Sequence, residues 1–278
     1  MFAIAFILWL LHYYVLNLAH VRKLACVLEP AYALNQRMYA DEWFATNTAC
    51  KRSDPMANVV ITGANRGIGL ELAKLYAARG DRVTAICREA GDEIEDIADQ
   101  TISGIDVTDE QTAPGLQTIL AELLDGSIDI LINNAGVFKN ETLEAMDADS
   151  IREQFEVNTI APLMIAHALL PLMTQGSKIA NITSRMGSIA DNTSGAYYGY
   201  RASKAALNAV GKSLAMDLKP KGIAVAQLHP GFVQTRMVGF NGDITPEQAA
   251  NGLAQRIDEL NLENSGGFWH SNGQSLPW

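Results

Sequence analysis

From Met56 onward the chain alternates short, β-branched apolar runs with longer amphipathic stretches, and that alternation constrains its fold more than any other feature. Val59–Thr62, Val83–Cys87, Ile102–Asp106, Ile128–Asn133, Lys178–Thr183 and Ile223–His229 read as buried strands. Helical periodicity falls near 68–79, 112–124, 149–174, 199–218 and 246–260. Strands alternating with helices imply βαβ units, whose right-handed crossovers lay helices on both faces of one parallel sheet. The expectation is a single α/β, doubly wound domain over 56–278. No repeat of solenoid length and no low-complexity linker divides it.

Residues 1–55 read as a separate N-terminal extension. Residues 1–21 carry no charged side chain and Phe2–Leu11 are apolar without a break, but His12, Asn17 and His20 weaken a span that needs roughly 20 apolar residues. No basic leader with a small-residue cleavage site marks secretion. If inserted, the segment would keep the following domain on the cytoplasmic side through Arg22 and Lys23. The preferred alternative is that synthesis starts at Met56, immediately before the first strand. The charge also divides there: 1–55 hold five basic and four acidic side chains, 56–278 hold 16 and 27. So acidic a domain argues against nucleic acid as partner, because phosphate binding needs a Lys/Arg surplus. Cys26, Cys50 and Cys87 have the spacing of neither a disulfide framework nor a zinc site, so no metal and a reducing, cytoplasmic compartment are expected.

Between the first strand and the first helix lies Thr62-Gly63-Ala64-Asn65-Arg66-Gly67-Ile68-Gly69. Glycines there allow a tight turn and let a pyrophosphate approach the backbone at a helix N-terminus, although alone they also serve helix–strand packing. An NAD site usually places Asp or Glu at the end of the second strand for the ribose hydroxyl. Here that place reads Cys87-Arg88. Arg88 and Arg66 can instead pair with a 2′-phosphate, so NADP(H) is preferred and NAD(H) remains the alternative; the competing view is two solvated arginines. Asp106 is a candidate acceptor for the adenine amino group, or a turn residue. Asn133-Asn134-Ala135-Gly136 ends the fourth strand at the carboxyl edge, where open α/β sheets bind ligands.

Tyr200 and Lys204 are four apart in a helical stretch and share a face. A free tyrosine, near pKa 10, is a poor acid–base catalyst at neutral pH, but an adjacent ammonium together with a positively charged oxidised nicotinamide lowers that value. Tyr200 can then exchange a proton with a carbonyl oxygen as hydride moves at carbon. Ser184 directly follows the fifth strand and can steady the same oxygen, or merely cap a turn.

Together these residues resemble the short-chain dehydrogenase/reductase family. The resemblance rests on the TGANRGIG turn, Asp106, the NNAG segment, Asn158, Ser184, the YRASK segment from Tyr200 to Lys204, and Pro230-Gly231 with Thr235, in the family's order over essentially all of 56–278. It implies a Rossmann-type fold, nicotinamide-dependent oxidoreduction and an Asn158–Ser184–Tyr200–Lys204 catalytic set, with Asn158 holding a water that links Lys204 to solvent. It implies a cofactor held by Thr62, Gly63, Asn65, Arg66, Gly67, Ile68 and Gly69, by Arg88, Asp106 and Val107, and by Asn133, Asn134, Ala135 and Gly136. Tyr200, Lys204, Pro230, Gly231, Val233 and Thr235 complete that set. The family's serine usually lies about a dozen residues before the tyrosine, as Ser188 does; Ser184 is preferred because it directly follows the strand. The run from Ser184 to Lys204 and the ending GGFWHSNGQSLPW are similar to the C-factor and sniffer-like carbonyl reductase branch, where a longer loop accounts for the offset.

The leading expectation is therefore an NADPH-dependent reductase of small-molecule ketones or aldehydes (in reverse, an alcohol dehydrogenase), assembled as a homodimer or homotetramer through the Tyr200 helix and the helix before it. With only about 30 residues from Pro230 to Leu260, a small substrate lid is expected. The reading from another class is a nucleotide-binding signalling protein, whose output would survive loss of Tyr200.

Overall fold

The computed structural model describes residues 56–124 and 126–278. The N-terminal extension, with its candidate span, lies outside the described residues.

Seven strands form one all-parallel sheet: β1 (Asn58–Thr62), β2 (Arg82–Ile86), β3 (Gln100–Ile102), β4 (Ile128–Asn133), β5 (Met173–Ile182), β6 (Ala224–His229) and β7 (Phe268–His270). Their order is β3-β2-β1-β4-β5-β6-β7. The order reverses between β1 and β4, so the connections leave toward opposite faces and a crevice opens at the carboxyl ends. Helices α1 (Gly67–Ala78) and α7 (Pro246–Glu259) cover one face; α3 (Thr112–Leu123), α5 (Ala161–Leu169) and α6 (Tyr198–Leu218) cover the other. The short α2 (Asp92–Ile97) precedes β3, and α4 (Ala148–Phe155) precedes α5.

The central strands are apolar on both faces because both faces are covered. All of β1 is buried, and its Val59 and Ile61 join Leu72, Tyr76 and Leu253 on one side. Val60 joins Leu116, Leu120, Ile165 and Leu169 on the other. Each such side chain contributes about 1.5–3 kcal/mol by leaving water.

The doubly wound α/β class is as expected, with four local differences. The third strand is Gln100–Ile102, not Ile102–Asp106, because Gly104 (φ +78°) turns the chain and its N–H bonds the Arg88 carbonyl at 3.0 Å. Asp106 therefore lies beyond the strand. The single helix expected over 149–174 is α4, a π-turn (Glu156–Ile160), α5 and a 3-10 turn (Leu170–Leu172), where Pro171 ends helical bonding and Met173 is already strand. The run Ala148–Leu172 is long and apolar enough to cross a membrane by length and composition alone, yet its Ile165, Ala166 and Leu169 are core residues here. Neither α2, with Ile94 its one buried residue, nor the three-residue β7 has enough length to show a period.

Candidate active site

At the end of β1 the chain turns through Gly63 (φ +65°) and Gly67 (φ +56°) into α1. A Cβ on Gly69 would overlap the Gly63 carbonyl oxygen and the Asn134 amide, so only glycine lets the helix start this close to the strand. The Asn134 side chain donates to the Thr62 and Gly63 carbonyls, both at 3.0 Å, while Thr62 Oγ1 accepts the N–H groups of Asn134 (3.0 Å) and Ala135 (3.1 Å). The NNAG segment is thereby fastened to the glycine turn. Asn65 fastens the other side, donating to the Glu89 carbonyl at 2.8 Å.

Helix α1 has no side-chain N-cap and no acid in its first turn. Its first N–H groups and the positive end of its dipole are thus available to an anion, and exposed Arg66 and Arg88 stand beside the turn. The Thr235 methyl lies 3.4 Å from where a Gly67 Cβ would be, which brings the segment after β6 to the same place. These are features a pyrophosphate-bearing dinucleotide fits. Asp106 Oδ1 accepts from the Thr108 N–H (2.9 Å) and hydroxyl (2.7 Å); those bonds, with Arg88 nearby, hold its carboxyl below the usual range. Thr62, Val107, Asn133 and Ala135 line one narrow crevice with Val157 and Pro162. The Asn133 amide, however, points along the sheet to Asn181 at 3.0 Å. Val233 is buried and bridges Ile244, Gly231 (φ +99°) turns beside that isoleucine, and the Pro230 carbonyl accepts from Ser271 Oγ at 2.9 Å.

The reacting groups converge from two elements. Ser184 follows β5, and Tyr200 and Lys204 lie in the first two turns of α6. Two buried bonds hold the body of α6 to its neighbours: Thr183 Oγ1 to Asn208 at 2.8 Å, and Thr159 Oγ1 to the Ser203 carbonyl at 2.8 Å. The Ser184 hydroxyl accepts the Met186 N–H at 3.1 Å and lies beside the Tyr200 phenol, and the Lys204 ammonium donates to the Ile182 carbonyl at 2.9 Å, 6.0 Å from the Tyr200 ring centre. Burial pushes the Tyr200 phenol up to about 12, only partly countered by Ser184. Burial also pushes Lys204 down to about 8. In the protein alone, desolvation sets the direction for both groups; the lowered phenol expected of Tyr200 calls on the charge of an oxidised nicotinamide as well as on Lys204.

Ser188 is turned elsewhere. Its hydroxyl donates to the Trp278 carbonyl at 2.9 Å and accepts the Asp191 N–H at 3.1 Å. Asn158, in the π-turn, spends both ends of its amide on structure: Oδ1 accepts the Val137 N–H (2.9 Å), and Nδ2 donates to the Val137 carbonyl (2.9 Å) and Ser203 Oγ (3.1 Å). Gly136 runs just beside these groups, where a Cβ would lie 3.2 Å from Asn158 Oδ1 and 3.7 Å from Lys204 Nζ.

Three neighbours of the site escaped the sequence reading. Phe138 packs edge-on against Tyr200, with ring centres 4.8 Å apart, and Glu141 is buried beneath the start of α6. His229, at the end of β6, lies edge-on to His270 at 4.9 Å and is pushed down to about 3, by burial first and the second imidazole next. Phe138 alone had a signal, as an aromatic two residues past NNAG.

Residues 57–244 match the family model described as short chain dehydrogenase. The chain is 40% identical, over 227 residues, to the 1-hydroxy-2-glutathionyl-2-methyl-3-butene dehydrogenase of Rhodococcus sp. (strain AD45), covering 80% of this chain and all of that one. It is also 40% identical over 166 residues to the C-signal protein of Myxococcus xanthus, covering 59% of this chain and all of that one. Among solved structures, carbonyl reductase Sniffer of D. melanogaster superposes with a TM-score of 0.74 at 32% identity, over 81% of this chain and all of that one. NADPH-bound carbonyl reductase from chicken fatty liver gives 0.74 at 29% identity, with the same coverage.

Proposed function

The chain belongs to the short-chain dehydrogenase family and is an oxidoreductase, and from that premise we propose that it reduces ketones or aldehydes with NADPH, with Tyr200 as the proton donor. The convergence of Ser184, Tyr200 and Lys204 in one buried cluster at the carboxyl edge carries this reading. The carbonyl reductases that it superposes on, one of them NADPH-bound, support it.

NADPH, when bound, supplies the hydride. The glycine turn and the open N-terminus of α1 receive its pyrophosphate, Asp106 its adenine, and Arg66 and Arg88 its 2′-phosphate by charge-assisted bonds. Tyr200, kept a neutral phenol by burial, donates its proton to the substrate carbonyl oxygen. Ser184 holds that oxygen and stabilises its developing negative charge. The Lys204 ammonium steadies the phenolate left on Tyr200, and a water restores the proton. Asn158, whose Oδ1 accepts only the Val137 N–H, holds the water of that relay. The reverse sequence oxidises an alcohol.

The same reading makes the protein a cytoplasmic homo-oligomer; exposed Ile160 and Met164 before α6, and Met216 on it, supply apolar surface for the pairing face. A second reading, nucleotide-dependent signalling, is favoured by the likeness to C-signal. Consumption of NADPH and NADH over a panel of activated ketones, aldehydes and quinones separates them. Turnover that prefers NADPH supports the reductase; tight NADPH binding with no turnover on any substrate favours signalling.

A further inference from the structure

The loop after β4 reaches forward to grip the start of α6. The Phe138 ring stacks on Tyr197 at 5.4 Å and meets Tyr200 edge-on. Three residues later, Glu141 accepts the Tyr197 N–H on its main-chain oxygen at 2.9 Å. Its side chain turns inward, 1% exposed. One carboxylate oxygen accepts from the Ser150 hydroxyl and from Gln154 Nε2 at 2.7 Å; the other accepts the Gly199 N–H at 2.9 Å.

A buried acid is unusual unless its oxygens are satisfied, and here neutral donors satisfy them. Burial pushes the carboxyl up, but the bonds from Ser150, Gly199 and Gln154 prevail and keep it below the usual range. Helix α6 needs such an acceptor. Its first N–H groups lack partners within the helix, and Tyr197 at the N-cap position offers no side-chain bond. Ala196 (φ +51°) and Tyr197 (φ +55°) both sit in the left-handed region, which side-chain-bearing residues rarely adopt in succession. Gly199 admits the carboxylate: a Cβ there would overlap the Gln154 amide and stand 3.1 Å from Glu141 Oε2.

We propose that Glu141 is a positioning residue for Tyr200: as an N-cap supplied from another loop, it holds the strained Ala196–Tyr197 entry and so sets the phenol against Ser184. This rests on the reading of Tyr200 as proton donor. The body of α6 is held independently, through Thr183–Asn208 and Thr159–Ser203. Loss of the cap therefore shifts the first turn, where Tyr200 lies, rather than the whole helix.

The test compares E141L, which keeps volume but accepts nothing, with E141Q, which keeps one acceptor oxygen, in steady-state NADPH oxidation and in amide hydrogen exchange over 194–215. In E141L, kcat falls about 10- to 100-fold, as small misplacements of reacting groups do. KM for NADPH stays within about twofold because the glycine turn is untouched. Exchange quickens at 197–200 while 205–215 keep their protection, and E141Q lies between wild type and E141L in both. If E141L does not fold, E141A carries the same expectations. Wild-type kcat with wild-type exchange in a folded variant overturns the proposal, and so does a loss shared equally by KM and the whole of α6. If wild-type protein reduces no carbonyl, the functional reading fails separately, while local exchange still decides whether Glu141 is the cap.

Discussion

Replacing Asn181 with leucine should destabilise the protein out of proportion to the change in shape. Asn133, Asn181 and Gln227 are register neighbours on β4, β5 and β6, none more than 2% exposed. Asn133 Nδ2 donates to Asn181 Oδ1 at 3.0 Å, and Asn181 Nδ2 donates to Gln227 Oε1 at 3.2 Å. The outer ends of this ladder, Asn133 Oδ1 and Gln227 Nε2, already lack partners. Asn181→Leu removes both bonds at once, leaving Asn133 Nδ2 only a 3.4 Å contact with the Pro162 carbonyl. A buried polar group stripped of its partner costs about 1–3 kcal/mol, so two cost about 4 kcal/mol at the centre of that range. At about 2–4 °C per kcal/mol for a domain of this size, Tm falls by about 8–16 °C. Adding Gln227→Met, of nearly the same shape, removes one orphaned amide, so the double variant should melt above the single. Differential scanning calorimetry reads both. A single variant melting within about 2 °C of wild type, or a double variant lower than the single, would refute this account of the ladder.

Ser184→Ala should lower kcat about 10²- to 10³-fold, as loss of one oxyanion donor does, whereas Ser188→Ala, whose hydroxyl holds Trp278, should keep kcat and lose thermal stability; the reverse ranking would exchange their roles. Arg66→Ala and Arg88→Ala should each raise KM for NADPH about tenfold and leave that for NADH unchanged, the size expected of one exposed charge-assisted bond. Equal effects on both nucleotides would remove the arginines from the 2′-phosphate. With Lys204 near 8 and Tyr200 near 12, the ammonium is present below about pH 8 and lost above it while the phenol keeps its proton. Carbonyl reduction should therefore decline as pH rises through about 8, and a rate flat to pH 10 would contradict that use of Lys204.

The central strands were legible because burial on both faces demands unbroken Val/Ile runs, as in Val59-Val60-Ile61. β7 was not, since three residues among glycines at 266, 267 and 273 carry no period and become a strand only by pairing with β6. The π-turn that carries Asn158 was also hidden, because it keeps helical composition. Ser184, Tyr200 and Lys204 were legible from strand-end position and i,i+4 spacing. Glu141 was not: a single acid in the polar run Lys139-Asn140-Glu141-Thr142 reads as solvated, and only folding brings Ser150, Gln154 and Gly199 around it. Nor could spacing reveal that burial would dominate the charge states of Tyr200 and Lys204.

The most direct test of the central claim is single-turnover NADPH oxidation by wild type and Tyr200→Phe on the best carbonyl substrate, with NADPH affinity measured in parallel. The account predicts that Tyr200→Phe binds NADPH as tightly as wild type and transfers hydride at least about 10²-fold more slowly, the lower end of what a positioned proton donor contributes. Hydride transfer at the wild-type rate would contradict it.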